Sequence, residues 1–356
     1  EIEALYLNGD RAHPIFDGNI KDEPVTLKKR ASGKSRIFTA SGLPFSLVVR
    51  KQYLMIVRAI MTNNFMSECA VSMNCYNIDW SEIYYYITKY GIDRIIAGDY
   101  RTFDKSMPAV IIRAAFHVLD SLRECISPMS IEDKLISVGI ATDICYPVTN
   151  MNGDIIEFFG GNSSGHPLTV IINSIANSLY VRFAYSKLGF DLSSFKQEVS
   201  LITLGDDNIM GSDNPEFNHT SLQDTLARYG VTYTMADKTA ESVPFINIKD
   251  ADFLKRKFTF LNGRIVGPLD LQSIFKSLCM HVSKGNISNE EQLSQSYLAA
   301  RREWSLHGEE IFNEYVSKME TIFNDFPTIK RFFIKQHNMS YKDTLAWVTS
   351  QEIEEL

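Results

Sequence analysis

Two adjacent carboxylates, Asp206 and Asp207, follow Gly205 between the apolar runs Leu201, Ile202, Leu204 and Ile209, Met210. The pattern over residues 200–212 predicts a tight β-hairpin with paired acids at its tip. Like charges on one turn repel, and beside a partly buried strand they ask for a counter-charge, most simply a divalent cation with oxygen ligands. A solvated acidic turn is the plainer account of an isolated Asp-Asp. A second pair shifts the balance: Ile95, Ile96 and Ala97 predict a short buried strand that delivers Asp99 at its end, with Asp104 five residues later. Carboxylates converging from separate strands are what a two-metal site requires, because they must hold ions about 3.5–4 Å apart.

Other stretches could serve the same cleft. The loop GGNSSGHPLT (160–169) opens a predicted helix that ends at Gly189, and Thr169, Asn173 and Asn177 fall at i, i+4 and i+8 along it. Such a stripe either satisfies backbone groups in the core or presents amides and a hydroxyl to a ligand's hydroxyls; the flexible loop before it favours the ligand. Residues 21–40 hold six basic side chains (Lys21, Lys28, Lys29, Arg30, Lys34, Arg36) against Asp22 and Glu23. They form either a solvated ribbon or a phosphate-binding strand pair lining an anionic channel. Lys238 is a solvated lysine unless it faces the cleft, where it could protonate a leaving group. Lys255, Arg256 and Lys257 are a charged face by default, or a grip on a phosphate backbone.

The supporting elements follow from periodicity. Helices are expected over 45–66, over 81–90 up to Gly91, over 108–126 and over 220–229. A strand pair is expected around 143–159, an edge strand at 231–234, and a second hairpin over 253–267 that turns at Asn262-Gly263. From residue 270 the chain reads as helical, with capping-box signals at Ser288/Glu291 and Ser340/Asp343. The 356 residues are 45% hydrophobic and 22% charged, enough for two or three packed subdomains. A net charge of −7 argues against nonspecific coating of nucleic acid but leaves room for local basic grooves. Five cysteines without CxxC spacing suggest neither a zinc site nor a disulfide framework and fit a reducing compartment. No apolar run is long enough to cross a bilayer. The opening at Glu1 rather than Met is expected of a piece cut from a longer polypeptide.

In order, the motifs are a basic stretch, D-x4-D, S-G-x3-T-x3-N, a Gly-Asp-Asp hairpin, a lysine, a basic hairpin and then helices. From Lys21 to about Phe258 this resembles the viral RNA-dependent RNA polymerases of the picornavirus-like group. The resemblance implies an α+β right-hand polymerase with an antiparallel-sheet palm, fingers and a helical thumb. It places fingers at 1–92, palm at 93–107 and 143–260 around a helical insertion at 108–142, and thumb at 261–356. It implies that Asp99 and Asp206, assisted by Asp207, hold two Mg²⁺ ions, with Mn²⁺ as a substitute, for nucleotidyl transfer from ribonucleoside triphosphates. Asp104, Ser164, Thr169 and Asn173 would sense the 2′ hydroxyl, and Gly165 would let the loop move with the template. Lys238 would be the general acid for pyrophosphate, while Lys29 and Arg36, with Lys21 nearby, would meet the triphosphate. The implied partners are template and primer RNA, a protein primer and other viral replication proteins. The implied place is the replication complex in the host cytoplasm, reached through partners because the chain shows no membrane anchor. Two positions depart from the family pattern: Leu204 stands where an aromatic usually precedes Gly-Asp-Asp, and Val25 where an arginine is often found. Residues 1–20 are too short for the usual N-terminal fingers.

Three other readings compete. A reverse transcriptase shares the paired aspartates but usually places an aromatic where Asp104 stands. GNSSG (161–165) matches the G-x-S-x-G nucleophile elbow, making Ser163 a nucleophile with Asp206 or Asp207 and His219 or His281. A non-catalytic RNA-binding or assembly protein would need no metal at its carboxylates. A calcium loop starting at Asp206 is excluded because Met210 and Phe217 fall where oxygen ligands are needed.

Overall fold

A computed structural model describes residues 1–236, 240–280 and 286–350. The chain divides into two compact units, one of Glu1–Ser72 with Arg94–Phe245, the other of Met73–Asp93 with the described part of Ile246–Leu356.

In chain order the elements begin with α1 (Ile2–Leu7), β1 (Ile15–Ile20), α2 (Leu27–Ala31) and β2 (Ile37–Ser41). Next come α3 (Leu43–Thr62), α4 (Asn64–Ser67), α5 (Asp79–Ile87), β3 (Ile95–Tyr100) and α6 (Phe103–Ser106). Two helices, α7 (Ala109–Ile126) and α8 (Ile131–Cys145), lead to β4 (Val148–Met151), β5 (Asp154–Glu157) and the long α9 (Thr169–Lys187). The first unit closes with α10 (Phe195–Glu198), β6 (Val199–Leu204), β7 (Asp207–Ser212), α11 (His219–Ala227) and β8 (Tyr233–Met235). The second unit adds β9 (Thr259–Leu261), β10 (Arg264–Val266), α12 (Leu271–Cys279), α13 (Asn289–Ser305), α14 (Glu309–Asp325) and α15 (Tyr341–Thr349).

The architecture is α+β. The sheet that matters for the site has the order β6-β7-β3-β8 and is antiparallel throughout. Its inner strands are buried along most of their length because both β3 and the hairpin are apolar on both faces, with helix α9 packed on β6. The expected hairpin, the buried strand before Asp99 and the edge strand at 233–235 are all present.

Of the two readings of the basic stretch, the exposed ribbon is the one that forms, rather than a strand pair. Strands β1 and β2 do pair antiparallel, and the Lys21 amide donates to the Arg36 carbonyl at 2.8 Å. The basic residues between them, however, lie in a loop and the single exposed turn of α2. Thr26 caps that turn by accepting from the Lys29 amide, and Lys28, Lys29 and Arg30 sit in its last turn, where the helix dipole favours cations. Strand β1 also pairs parallel with β4, joining the ribbon to the β4-β5 hairpin in a mixed four-stranded sheet.

The first helix, unforeseen in the sequence, is fixed by one buried carboxylate. Asp143 on α8 accepts from the Tyr6 hydroxyl at 2.7 Å, from Arg11 Nε at 2.8 Å and from the Ala12 amide at 3.2 Å. Within the second unit, Trp80 on α5 stacks on Phe258 with ring centroids 4.9 Å apart, and Ser81 exchanges hydrogen bonds with the backbone of Ile265. One member of the basic triplet is likewise structural there: Arg256 is buried and makes a bidentate pair with Glu303 at 2.7 and 2.8 Å, so it is not available to grip a phosphate backbone, while Lys255 and Lys257 are exposed. Replacing Asp143 with alanine leaves Arg11 and Tyr6 without their buried acceptor. Urea unfolding is expected to show a loss of about 3 kcal/mol, against about 1 kcal/mol for Tyr6→Phe.

Candidate active site

Gly205 takes φ +64° at the first central position of a two-residue loop, a conformation that glycine adopts freely and that primed hairpin turns demand. That turn leaves Asp206 exposed and Asp207 half-buried, with Leu204 paired opposite Asp207. Strand β3 runs antiparallel beside β7, with Ala97 opposite Ile209 and Gly98 opposite Asn208, so one further step of the register sets Asp99 beside Asp207. The three acids therefore share one end of the sheet. Gly98 is required next to Asp99 because the ring of Tyr233 on β8 lies where a Cβ would stand.

Beneath the tip lies a buried polar network. The Asn177 amide nitrogen donates to the carbonyls of Gly205, Asp206 and Asp207 at 3.1, 3.0 and 3.3 Å. Its oxygen accepts from the Tyr100 hydroxyl at 3.3 Å and from Asn208 Nδ2 at 3.1 Å, and Tyr233 donates to Asn208 Oδ1 at 2.7 Å. One turn earlier on α9, Ser174 Oγ accepts from the Gly205 amide at 2.9 Å. The polar stripe along α9 thus divides. Asn177, wholly buried, serves the backbone of the hairpin; Asn173 Nδ2 donates to Asp104 Oδ1 at 2.6 Å; and Thr169 ties the loop by donating to the Ser163 carbonyl at 2.8 Å. The sequence marked the stripe but not that Asn177, with Ser174, would carry the turn.

Burial pushes the Asp104 carboxyl above its ordinary value, and the charge of Asp206 adds to the rise. The Asn173 hydrogen bond opposes it, as do the positive charges of Arg36 and Lys21. Lys21, Lys29 and Arg36 are all exposed, and Arg36 pairs with Glu23 at 3.2 Å. Ser164 is exposed, its hydroxyl accepting from the Thr39 amide of β2 at 3.2 Å. Gly165 bridges to Ala40, and a Cβ there would meet the Thr39 carbonyl at 2.5 Å, so close approach to β2 is what requires glycine at this position. Lys238 lies outside the described residues.

The nucleophile-elbow alternative gains no support from the described histidines near it. His166 turns one ring nitrogen to Asn162 and the other to the Leu168 amide; His219 faces Ser242 through Nδ1. Neither serves Ser163, and His281 lies outside the described residues.

Among the described residues, no three His, Cys, Asp or Glu side chains stand close enough to hold a metal ion by themselves. The donors at the sheet end are nonetheless the hard carboxylate oxygens that Mg²⁺ takes. Mg²⁺ is commonly held by one or two carboxylates, with substrate phosphates and water completing its shell. The residues fit such an ion.

This α+β frame, an antiparallel sheet with acids at one end and α9 packed on it, is one that a polymerase fold provides. The family model described as viral RNA-dependent RNA polymerase matches residues 2–322, and the chain belongs to that family. It is 30% identical over 322 residues to the RNA1 polyprotein of Cherry rasp leaf virus, covering 84% of this chain and 14% of that one. It is 28% identical over 325 residues to the replicase polyprotein of Cricket paralysis virus, covering 86% and 18%. The chain therefore spans less than a fifth of the length of these relatives. A solved structure, the Sicinivirus 3Dpol RNA dependent RNA polymerase, superposes with a TM-score of 0.75 over 98% of this chain and 69% of that one at 18% identity, a likeness of fold. The expected resemblance to the picornavirus-like group is borne out.

Two outcomes follow from the geometry. Asn177→Ala strands the carbonyls of the turn, so urea unfolding is expected to show a loss of about 3 kcal/mol, with faster hydrogen exchange at Asn208. Burial also lowers the His166 pKa from 6.5 to about 3. Below pH 6.5 the unfolded chain takes up a proton that the folded chain refuses. Stability contributed by the neutral ring is therefore lost as pH falls from about 6.5 towards about 3, by up to about 1.4 kcal/mol per pH unit. His166→Gln should flatten that part of a stability–pH profile.

Proposed function

We propose that this chain is the catalytic core of an RNA-directed RNA polymerase that copies a positive-strand viral genome from ribonucleoside triphosphates. The observation that carries the reading is the sheet end at which β3 and the Gly-Asp-Asp hairpin set Asp99 beside Asp206 and Asp207, in a chain of the polymerase family. Asp99 and Asp206, assisted by Asp207, would hold two Mg²⁺ ions, or Mn²⁺ in their place. Ions held there would supply a lowered pKa for the primer's 3′ hydroxyl and positive charge against that gathering on the phosphates.

The rest falls to the chain's own groups. Asp104, accepting from Asn173, has a second carboxylate oxygen with which to receive a ribose 2′ hydroxyl, a contact that a deoxyribose cannot make. Lys21, Lys29 and Arg36 on the exposed ribbon would draw the triphosphate towards the acids, since their field already reaches Asp104 from Lys21 and Arg36. Ser164, Gly165 and Thr169 hold the loop against β2 and the start of α9, which fixes where the ribose can sit. Lys238 is assigned the proton that pyrophosphate takes on leaving. The partitioning into fingers at 1–92, palm at 93–107 and 143–260, and thumb at 261–356 belongs to the same reading. So do template and primer RNA, a protein primer and other replication proteins as partners. Among the described residues, no helix is long and apolar enough to cross a membrane, and partners would bring the chain to replication complexes in the host cytoplasm.

Primer extension on an RNA template with ribonucleotides and Mg²⁺ tests the reading. The unaltered chain is expected to extend the primer, and Asp206→Ala to lose about 10²- to 10³-fold in rate, the scale on which removing a key transition-state charge stabiliser acts. Equal rates would refute the metal assignment.

A further inference from the structure

Asp104 and Asn173 are the end of a longer chain of hydrogen bonds. Behind them, Asn162 Nδ2 donates to Asn173 Oδ1 at 2.7 Å and to the Thr169 carbonyl at 3.2 Å, and Asn162 Oδ1 faces His166 Nε2 at 2.8 Å. His166 Nδ1 in turn accepts from the Leu168 amide at 3.2 Å. Asn162, His166 and Asn173 are all buried. The Asn162 backbone amide also donates to the Asp104 carbonyl at 2.8 Å, so the same residue touches both the main chain that carries the acid and the amide that holds it.

The polarity of this chain is set from its far end. A backbone N–H can only donate, so His166 Nδ1 must be an unprotonated acceptor, and a neutral ring then carries its proton on Nε2. That proton can go only to an oxygen, which fixes Asn162 with Oδ1 towards His166 and NH₂ towards Asn173. The Thr169 carbonyl, an acceptor only, enforces the same orientation. Asn173 must then accept on Oδ1 and donate from Nδ2 to Asp104. An isolated amide flips at little cost, but here turning either one, alone or with the other, sets acceptor against acceptor in a buried site.

We infer that His166 and Asn162 are positioning residues for ribose selection: they lock the Asn173 amide into the orientation that presents N–H to Asp104, and thereby hold that carboxylate where it reads a 2′ hydroxyl. The inference rests on the polymerase reading above. Neither residue touches the nucleotide. Their effect reaches it through Asn173 and Asp104, so it falls on the choice between ribo- and deoxyribonucleotides rather than on synthesis as such.

Primer extension with UTP and dUTP tests it, comparing the ratio of the two kcat/KM values in the whole chain and its variants. Asn162→Asp is nearly isosteric but offers only acceptors; it forces Asn173 to turn its NH₂ to residue 162 and its oxygen to Asp104. The ratio is expected to fall about tenfold, the worth of one hydrogen bond to a charged group, mainly through a higher KM for UTP with dUTP little changed. His166→Phe fills the site without either hydrogen bond and should lower the ratio likewise, whereas His166→Gln, which keeps a donor and an acceptor, should recover discrimination relative to it. If His166→Phe does not fold, Asn162→Asp carries the comparison. An unchanged ratio in Asn162→Asp, or equal losses with both nucleotides, overturns the inference, provided that Asn173→Ala lowers the ratio. If Asn173→Ala leaves the ratio unchanged, the inference falls as well, because the chain of contacts then ends on a group that does not select. An unaltered chain that extends no primer overturns the polymerase reading itself.

Discussion

Everything at the sheet end hangs from the side-chain amide of Asn177. A two-residue turn carrying adjacent acids exposes three carbonyls and concentrates negative charge. The Asn177 nitrogen reaches all three carbonyls from the buried face of α9, and its oxygen is fully used by Tyr100 and Asn208. The amide is wholly buried, and its bonds to Gly205, Tyr100 and Asn208 are made away from competing water. The acids are thereby kept at the surface while the strands beneath them join the core.

The electrostatics of the site follow from this arrangement. Asp206 sits near enough to Asp104 to disfavour its charge, and burial does so more strongly. Compensation comes from two sources of different reach: a short hydrogen bond from Asn173 and the longer-range field of Arg36 and Lys21 on an exposed ribbon. The hydrogen bond is geometric and fixed. The field can be screened or redirected, since Arg36 also pairs with Glu23 at the surface.

The loop before α9 shows how glycine and polar side chains divide the task of building a rigid wall. Gly160, at φ +95°, lies against the Met107 carbonyl, and Gly165 against β2; side chains at either position would push the loop off its neighbours. Thr169, Asn162 and His166 then saturate the polar groups the loop brings inside. The glycines read in the sequence as freedom are, in the fold, places of close contact.

The sequence by itself determined the hairpin, the buried strand that ends in Asp99, the extent of α9 and the caps at Ser288 and Ser340, because each depends on local periodicity or on turn and cap chemistry. It also showed which residue types the site would contain, through their order along the chain. Only the tertiary structure decided what each polar side chain faces. Asn173 meets a carboxylate and Asn177 a backbone turn, although both belong to one helical stripe. Arg256, one of three consecutive cations, is drawn inside by Glu303, 47 residues away. The basic ribbon became a loop and one helical turn between β1 and β2, and β1 found a parallel partner in β4, more than 100 residues distant. Local patterns fix the backbone because hydrogen bonding and side-chain period act over a few residues. The partner of a buried polar group is chosen by whatever distant element the packing brings to it, and that information is not held in any short stretch of chain.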